Sequence, residues 1–133
     1  METFIRWNDY YSVGDASLDA QHKQILAIIN ELYDAKQRGV DRQTIASLLG
    51  RLAQYTVDHF RYEEECLRAH EYPELAEHAI LHEKMREKTL SWQANADLIS
   101  GRDLLAFLKQ WWCDHIQRED KKYASCLMMA VKA

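Results

Sequence analysis

Five of the six histidines in this 133-residue chain fall on the apolar stripes of helix-forming segments, which restricts the fold more than any other feature. His22 continues the stripe of Ile25, Ile29 and Leu32. His59 and Glu63 are four residues apart, hence on one helix face, which also carries Leu52, Thr56 and Leu67. His78 and His82 are again four apart, in line with Leu75 and Met85. His115 lies four beyond Trp111, and Asp120 follows it by five. Burying an ionised carboxylate without a partner costs several kcal/mol even after relaxation, and this interior would hold two. A pair of metal ions turns that liability into binding energy.

Each element alone is a weak sign. A His-x-x-x-Glu or His-x-x-x-His pair arises by chance on many helices, and His22 by itself reads as a hydrogen-bonded core histidine. Seven metal-capable side chains aimed at one interior are harder to explain by accident. His70, off every stripe and just before Pro73, reads as solvent-exposed, and Glu64 and Glu65 read as solvated helix-face charges.

Four glycines and one proline leave few interruptions, and helix formers dominate the long segments. The periodicity predicts helices over roughly 17–38, 41–69, 73–95, 101–118 and 121–131. Gly39 suits the position just past the first helix, Asp41 caps the second, and Pro73 fits the first turn of the third. Ser100 with Asp103 resembles a capping box for the fourth. Residues 1–16 read as an irregular arm that packs down through Phe4, Ile5, Trp7, Tyr10, Tyr11 and Val13. Short linkers make consecutive helices antiparallel neighbours. The expected fold is therefore all-α: one domain over 1–133, an antiparallel up-down-up-down four-helix bundle with an N-terminal arm and a short C-terminal helix.

A formal charge of −4 gives no electrostatic footprint for nucleic acid or an anionic membrane. The N-terminal residues lack the basic and apolar regions of a signal peptide, and no apolar run approaches the roughly 18 residues that span a bilayer. Cys66, Cys113 and Cys126 cannot all pair within the chain. A reduced, soluble, cytoplasmic protein is the expectation. Cys66 and Cys113 lie near the histidines in sequence, but the oxygen and nitrogen set is complete without a thiolate.

Asp120 poses a geometric problem. Five residues advance a regular α-helix by about 500°, which leaves His115 and Asp120 about 140° apart. They can serve one site only if the helix widens, as in a π-bulge, or ends there. The spacing predicts an irregularity at Ile116–Asp120; a regular helix would turn Asp120 to solvent.

With these residues in hand the chain resembles the hemerythrins, specifically the single-domain bacterial ones, over nearly its whole length. Val13-Gly14 with Asp19-Ala20-Gln21-His22-Lys23 is similar to the opening motif, and His59-Phe60-Arg61-Tyr62-Glu63-Glu64 to the second. Tyr72-Pro73 leading to His78-x-x-x-His82 resembles the third, and His115-Ile116-x-x-x-Asp120-Lys121-x-Tyr123 the fourth. The resemblance implies two iron ions with a bridging oxo or hydroxo group. One would be held by His78, His82 and His115, the other by His22 and His59, with Glu63 and Asp120 bridging both. The first iron then has six ligands and the second five, so the second keeps an open position for dioxygen. The resemblance also implies pocket walls from Phe60, Trp111, Trp112 and Ile116. Trp112 departs from the pattern, which more often has a medium-sized aliphatic there; it either narrows the pocket or packs elsewhere.

Reversible dioxygen binding for storage, transport or delivery is the expected function, with no catalytic residue and an oxygen-consuming enzyme as a possible recipient. A monomer is expected, and a weak oligomer is compatible. The alternatives are an oxygen or redox sensor, a peroxide- or nitric-oxide-handling di-iron enzyme, and a metal store. A carrier and a sensor or enzyme built on this centre would use the same ligands, so the sequence does not separate them.

Overall fold

The structure is a computed structural model that describes residues 5–95, 101–124 and 126–127, without the side chains of residues 101, 105 and 112. Helices α1 (Ala16–Gln37), α2 (Arg42–Ala69), α3 (Leu75–Ala94) and α4 (Gly101–Gln110) form the bundle. α4 runs straight into a π-helical stretch, Trp111–Glu119, and then a 3-10 turn, Asp120–Tyr123. α1 packs on α2, α2 on α3, and α4 back on α1. Stacked Trp92 and Phe107 rings, 5.0 Å apart, tie α3 to α4. This is an all-α, antiparallel four-helix bundle, and no strand occurs among the described residues.

Local chemistry sets the helix ends. Asp15 and Asp41 cap α1 and α2 by accepting from the backbone N–H groups of Leu18 at 2.9 Å and Thr44 at 2.8 Å. α1 ends in a Schellman motif. Gly39 takes the left-handed conformation (φ +69°), the Val40 N–H reaches Ala35 O, and the Gly39 N–H reaches Lys36 O. α2 ends in the same motif with Glu71, a non-glycine, at φ 55°. That closure delays α3. Pro73 lies in the turn that follows rather than in the helix, the Leu75 N–H bonds back to Tyr72 O at 3.2 Å, and α3 begins at Leu75.

Two further expectations change. No break separates a fourth helix from a final one, because the backbone stays helical from 101 to 124. Tyr123 and Leu127 hold this continuation down by burying themselves with Val13, Leu18 and Leu67 at the bundle end. In the arm, Val13 is fully buried and Ile5 is pinned by paired bonds with the Asn30 amide at 2.9 and 2.8 Å. Tyr10 instead stays 73% exposed, with the Lys121 ammonium 4.3 Å from its ring centre. Phe4, the Ser100 cap and residues 128–131 of the expected final helix lie outside the described residues.

Two apolar clusters fill the interior. The larger joins α1, α2 and α4 through residues such as Ile25, Ile29, Leu49, Leu52 and Leu108. The smaller closes the end beside the arm. Between them lies a layer of histidines, which touches Phe60 of the first cluster and Tyr72 and Tyr123 of the second.

Candidate metal centre

The regular helices deliver their polar residues as spacing requires. α1 brings His22, α2 brings His59 and Glu63, and α3 brings His78 and His82, all buried. The fourth contribution depends on the π-helix. It begins at Trp111, earlier than the expected irregularity at Ile116, and ends at Glu119. The Asp120 N–H bonds to His115 O, an i to i+5 closure, which stacks Asp120 over His115. Both are buried, and His115 Nε2 lies 3.2 Å from Asp120 Oδ1.

The two carboxylates divide their oxygens. Glu63 presents Oε1 to His78 at 2.7 Å and His82 at 2.9 Å, and Oε2 to His59 at 3.3 Å and His22 at 3.4 Å. Asp120 presents Oδ1 to His78 at 3.0 Å and His115, and Oδ2 to His22 at 3.0 Å. The seven residues thus form two overlapping clusters with ligand atoms within 4.8 Å of one another. One holds His78, His82 and His115, the other His22 and His59, and both contain Glu63 and Asp120.

Few of these contacts are hydrogen bonds. The Nε2 atoms of His22, His59, His82 and His115 and both Asp120 oxygens are buried without an aligned partner. They point at shared positions rather than at one another. Orphaned nitrogens and oxygens at this depth cost free energy that a cation would recover. Imidazole and carboxylate donors suit a first-row transition metal such as iron. No cysteine enters either cluster: Cys66 and Cys126 are half-buried and Cys113 is exposed.

The electrostatics show the strain of this packing. Burial pushes His22 and His78 toward neutrality, but Asp120 and Glu63 beside them outweigh it and raise them to about 9 and about 10. For His115 burial wins, and its pKa falls to about 4 despite Asp120. Burial and Glu63 both oppose ionisation of Asp120, yet the adjacent His115, His22 and His78 hold it at about 2. Glu63, also opposed by burial, is held well below the usual carboxylate range by four histidines.

A second layer orients the rings. His59 Nδ1 sits 2.6 Å from Gln21 Oε1, and His82 Nδ1 sits 2.8 Å from Glu64 Oε2. Each contact directs a ring N–H outward and leaves Nε2 as the inward lone pair. Tyr123 donates its hydroxyl to Glu63 Oε2 at 2.9 Å. These partners were not assigned from sequence. Glu64 is not simply a solvated charge; it reaches across to α3. The available signal was adjacency: a residue next to a ligand lies about 100° round the helix, where it meets the ligand of a neighbouring helix. His70 is half-buried rather than exposed, with Nδ1 2.8 Å from Cys66 O.

Phe60 stacks on His82 at 3.8 Å and on Trp111 at 5.7 Å, and Ile116 is fully buried beside them. The Trp112 side chain lies outside the described residues. A groove of about 280 Å³ between α3 and the π-helix reaches inward as far as Trp111 and His115.

Residues 13–127 match the family model described as the hemerythrin HHE cation binding domain. The chain is 31% identical to a bacteriohemerythrin of Stenotrophomonas maltophilia over 122 residues, 89% of this chain and 78% of that protein. It is 32% identical to a bacteriohemerythrin of Pseudomonas aeruginosa over 125 residues, 91% of this chain and 80% of that one. Its fold superposes on a solved wild-type hemerythrin with a TM-score of 0.83 at 28% identity, covering 94% of this chain and 98% of the other.

Proposed function

The chain belongs to the hemerythrin family, and on that premise we propose that it binds dioxygen reversibly at a di-iron centre, for storage, transport or delivery. The observation that carries this reading is the division of oxygens: Glu63 and Asp120 each give one oxygen to a three-histidine cluster and one to a two-histidine cluster. His78, His82 and His115 would hold one iron, His22 and His59 the other, and the two carboxylates would bridge them. Two irons held there would supply two electrons and, at the two-histidine position, an open place for dioxygen. The chain's own part is to fix the ligands and keep water out. Gln21 and Glu64 set two of the rings. Phe60, Trp111 and Ile116 wall the centre with carbon. The hydroxyl of Tyr123 is already engaged on Glu63, and the walls made by Phe60, Trp111 and Ile116 bring no acid to the centre. That favours carriage over an oxidase or peroxidase.

Metal analysis and one optical experiment test the proposal. Protein loaded anaerobically with ferrous iron should contain about two irons per chain; one zinc and no iron would overturn the site. On admission of air a visible charge-transfer band should appear, and it should vanish when oxygen is removed, over repeated cycles. Rapid irreversible oxidation without such a band would sink carriage. Cycling at full amplitude with a tethered partner response would instead favour a sensor.

A further inference from the structure

The groove between α3 and the π-helix sets one candidate ligand apart from the others. His59 and His82 have their outer ring nitrogens sealed by Gln21 and Glu64, His22 is wholly buried, and His78 does not line the groove. His115 points its Nε2 at Asp120 and lines the groove. A molecule seated there would have His115 between it and Asp120. Met85, Phe107 and Trp111 supply an apolar and aromatic lining beside it. At about 280 Å³ the groove falls just below the roughly 300–1,000 Å³ typical of small-molecule sites, so it suits one planar ring system and not a folded segment.

Its charge is opposite to that of the chain, whose formal net charge is −4. Lys84, Lys88 and Arg118 face Asp114 and Glu119. Glu119 is held by Lys122 at 3.0 Å, which leaves Asp114 as the one carboxylate not offset locally. Among the described residues Lys84 and Arg118 have no carboxylate partner of their own, while Lys88 bonds Gln110 at 2.9 Å and lies 5.7 Å from the Phe107 ring centre. The groove therefore has a cationic rim over a floor to which the largely buried rings of Phe107, Trp111 and His115 contribute.

We propose that this groove binds a small planar anion, a dihydroflavin-type two-electron donor, that returns the oxidised centre to its ferrous state through His115. The proposal rests on the di-iron reading given above. Dioxygen uptake that draws on two ferrous ions stops whenever both have been oxidised irreversibly, so a carrier of this kind needs a supply of two electrons. The step balances: the dihydroflavin gives up two electrons and its two ring protons, each ferric ion takes one electron, and the protons go to water. The ring lies against Trp111 and Phe107, and the anionic tail meets Lys84, Lys88 and Arg118 at the rim.

Flavin mononucleotide is the probe, and Lys84→Glu/Arg118→Glu is the variant, since both residues are exposed and outside the metal cluster. In iron-free protein, titration followed by calorimetry and tryptophan emission should show saturable binding. The double variant, with unchanged helicity, should bind about tenfold or more weakly. In oxidised iron-loaded protein without oxygen, reduction by dihydroflavin mononucleotide should saturate with donor concentration, slow with added salt, and slow by a similar factor in the variant. Reduced lumiflavin, which is planar and lacks the phosphate, should show neither effect. No saturable binding, or binding and rates untouched by the charge reversal, would overturn the groove as the site. Binding lost with the reduction rate unchanged would overturn the electron step alone. Protein that takes up no iron would fail the di-iron reading and with it the electron step, while binding in the iron-free protein is measured independently.

Discussion

α2 and the stretch after α4 each bring one histidine and one carboxylate to the same interior, through different backbones. In α2 the pair is His59 and Glu63, four apart on a regular α-helix. In the stretch after α4 the pair is His115 and Asp120, five apart, and the helix widens to a π form to make them coincide. The support differs as well. Glu63 accepts from the Tyr123 hydroxyl and engages His78, whereas both Asp120 oxygens are buried without an aligned hydrogen bond. A regular helix thus carries the carboxylate that the protein itself satisfies, and the distorted one carries the carboxylate left for a cation. π-helical turns have poorer intrinsic geometry and persist where something offsets their cost, so the comparison locates where metal binding and backbone are coupled.

The strongest test removes either carboxylate. Glu63→Ala and Asp120→Ala should each abolish loading at both positions, because both clusters contain both residues. Iron content by elemental analysis is the readout. If Asp120→Ala loads two irons while Glu63→Ala loads none, the π-helix does not serve the centre, and the equivalence of the two regions is gone.

Much of this was legible in the sequence because the α-helical period is fixed. The inward faces of His22, His59, Glu63, His78 and His82 follow from 3.6 residues per turn. Asp120 was legible only as a problem: its spacing demanded an irregularity without saying where it starts. The widening starts at Trp111, four residues before His115. Pro73 misled for a different reason. A proline fits the first turn of a helix, but Glu71 in the left-handed region directs the chain away first. Glu64 was unreadable from its own helix, since its partner His82 lies on another.

The second layer gives a graded test. Glu64→Ala and Gln21→Ala should each weaken iron affinity by roughly 10–100-fold while leaving stoichiometry at saturation intact. Competition with a chelator measures it. Among the described residues His115 has no comparable sealing partner, so substitutions near its outer edge should change affinity less. Equal losses on both sides would erase that distinction.

Acidity sharpens the comparison in iron-free protein. His22 and His78, raised to about 9 and about 10 by the two carboxylates between which they sit, stabilise the fold fully below their unfolded value of 6.5. That stability is lost as pH rises through 9 and 10. His115 acts oppositely: lowered to about 4, it costs stability as pH falls below 6.5. The melting temperature of iron-free protein should therefore peak near pH 6–7 and decline toward pH 10. Iron-loaded protein should lack the alkaline decline, because metal occupies the nitrogens that would lose protons. Parallel curves for the two forms would mean that these histidines do not carry the centre.

The last test isolates the support given to one carboxylate only. Tyr123→Phe removes the hydroxyl that donates to Glu63 Oε2 at 2.9 Å and leaves the ring to fill the same space. A hydrogen bond to a charged group contributes about 1.5–3 kcal/mol, so iron-free protein should lose an amount of that order in denaturant unfolding. Metal should compensate, because it takes up the same oxygen and replaces the lost donor. The deficit should then shrink on loading, with two irons still bound. An equal deficit in both forms would place the role of Tyr123 in packing the bundle end, where its ring is fully buried beside Tyr72, and Glu63 would need its donor no more than Asp120 does.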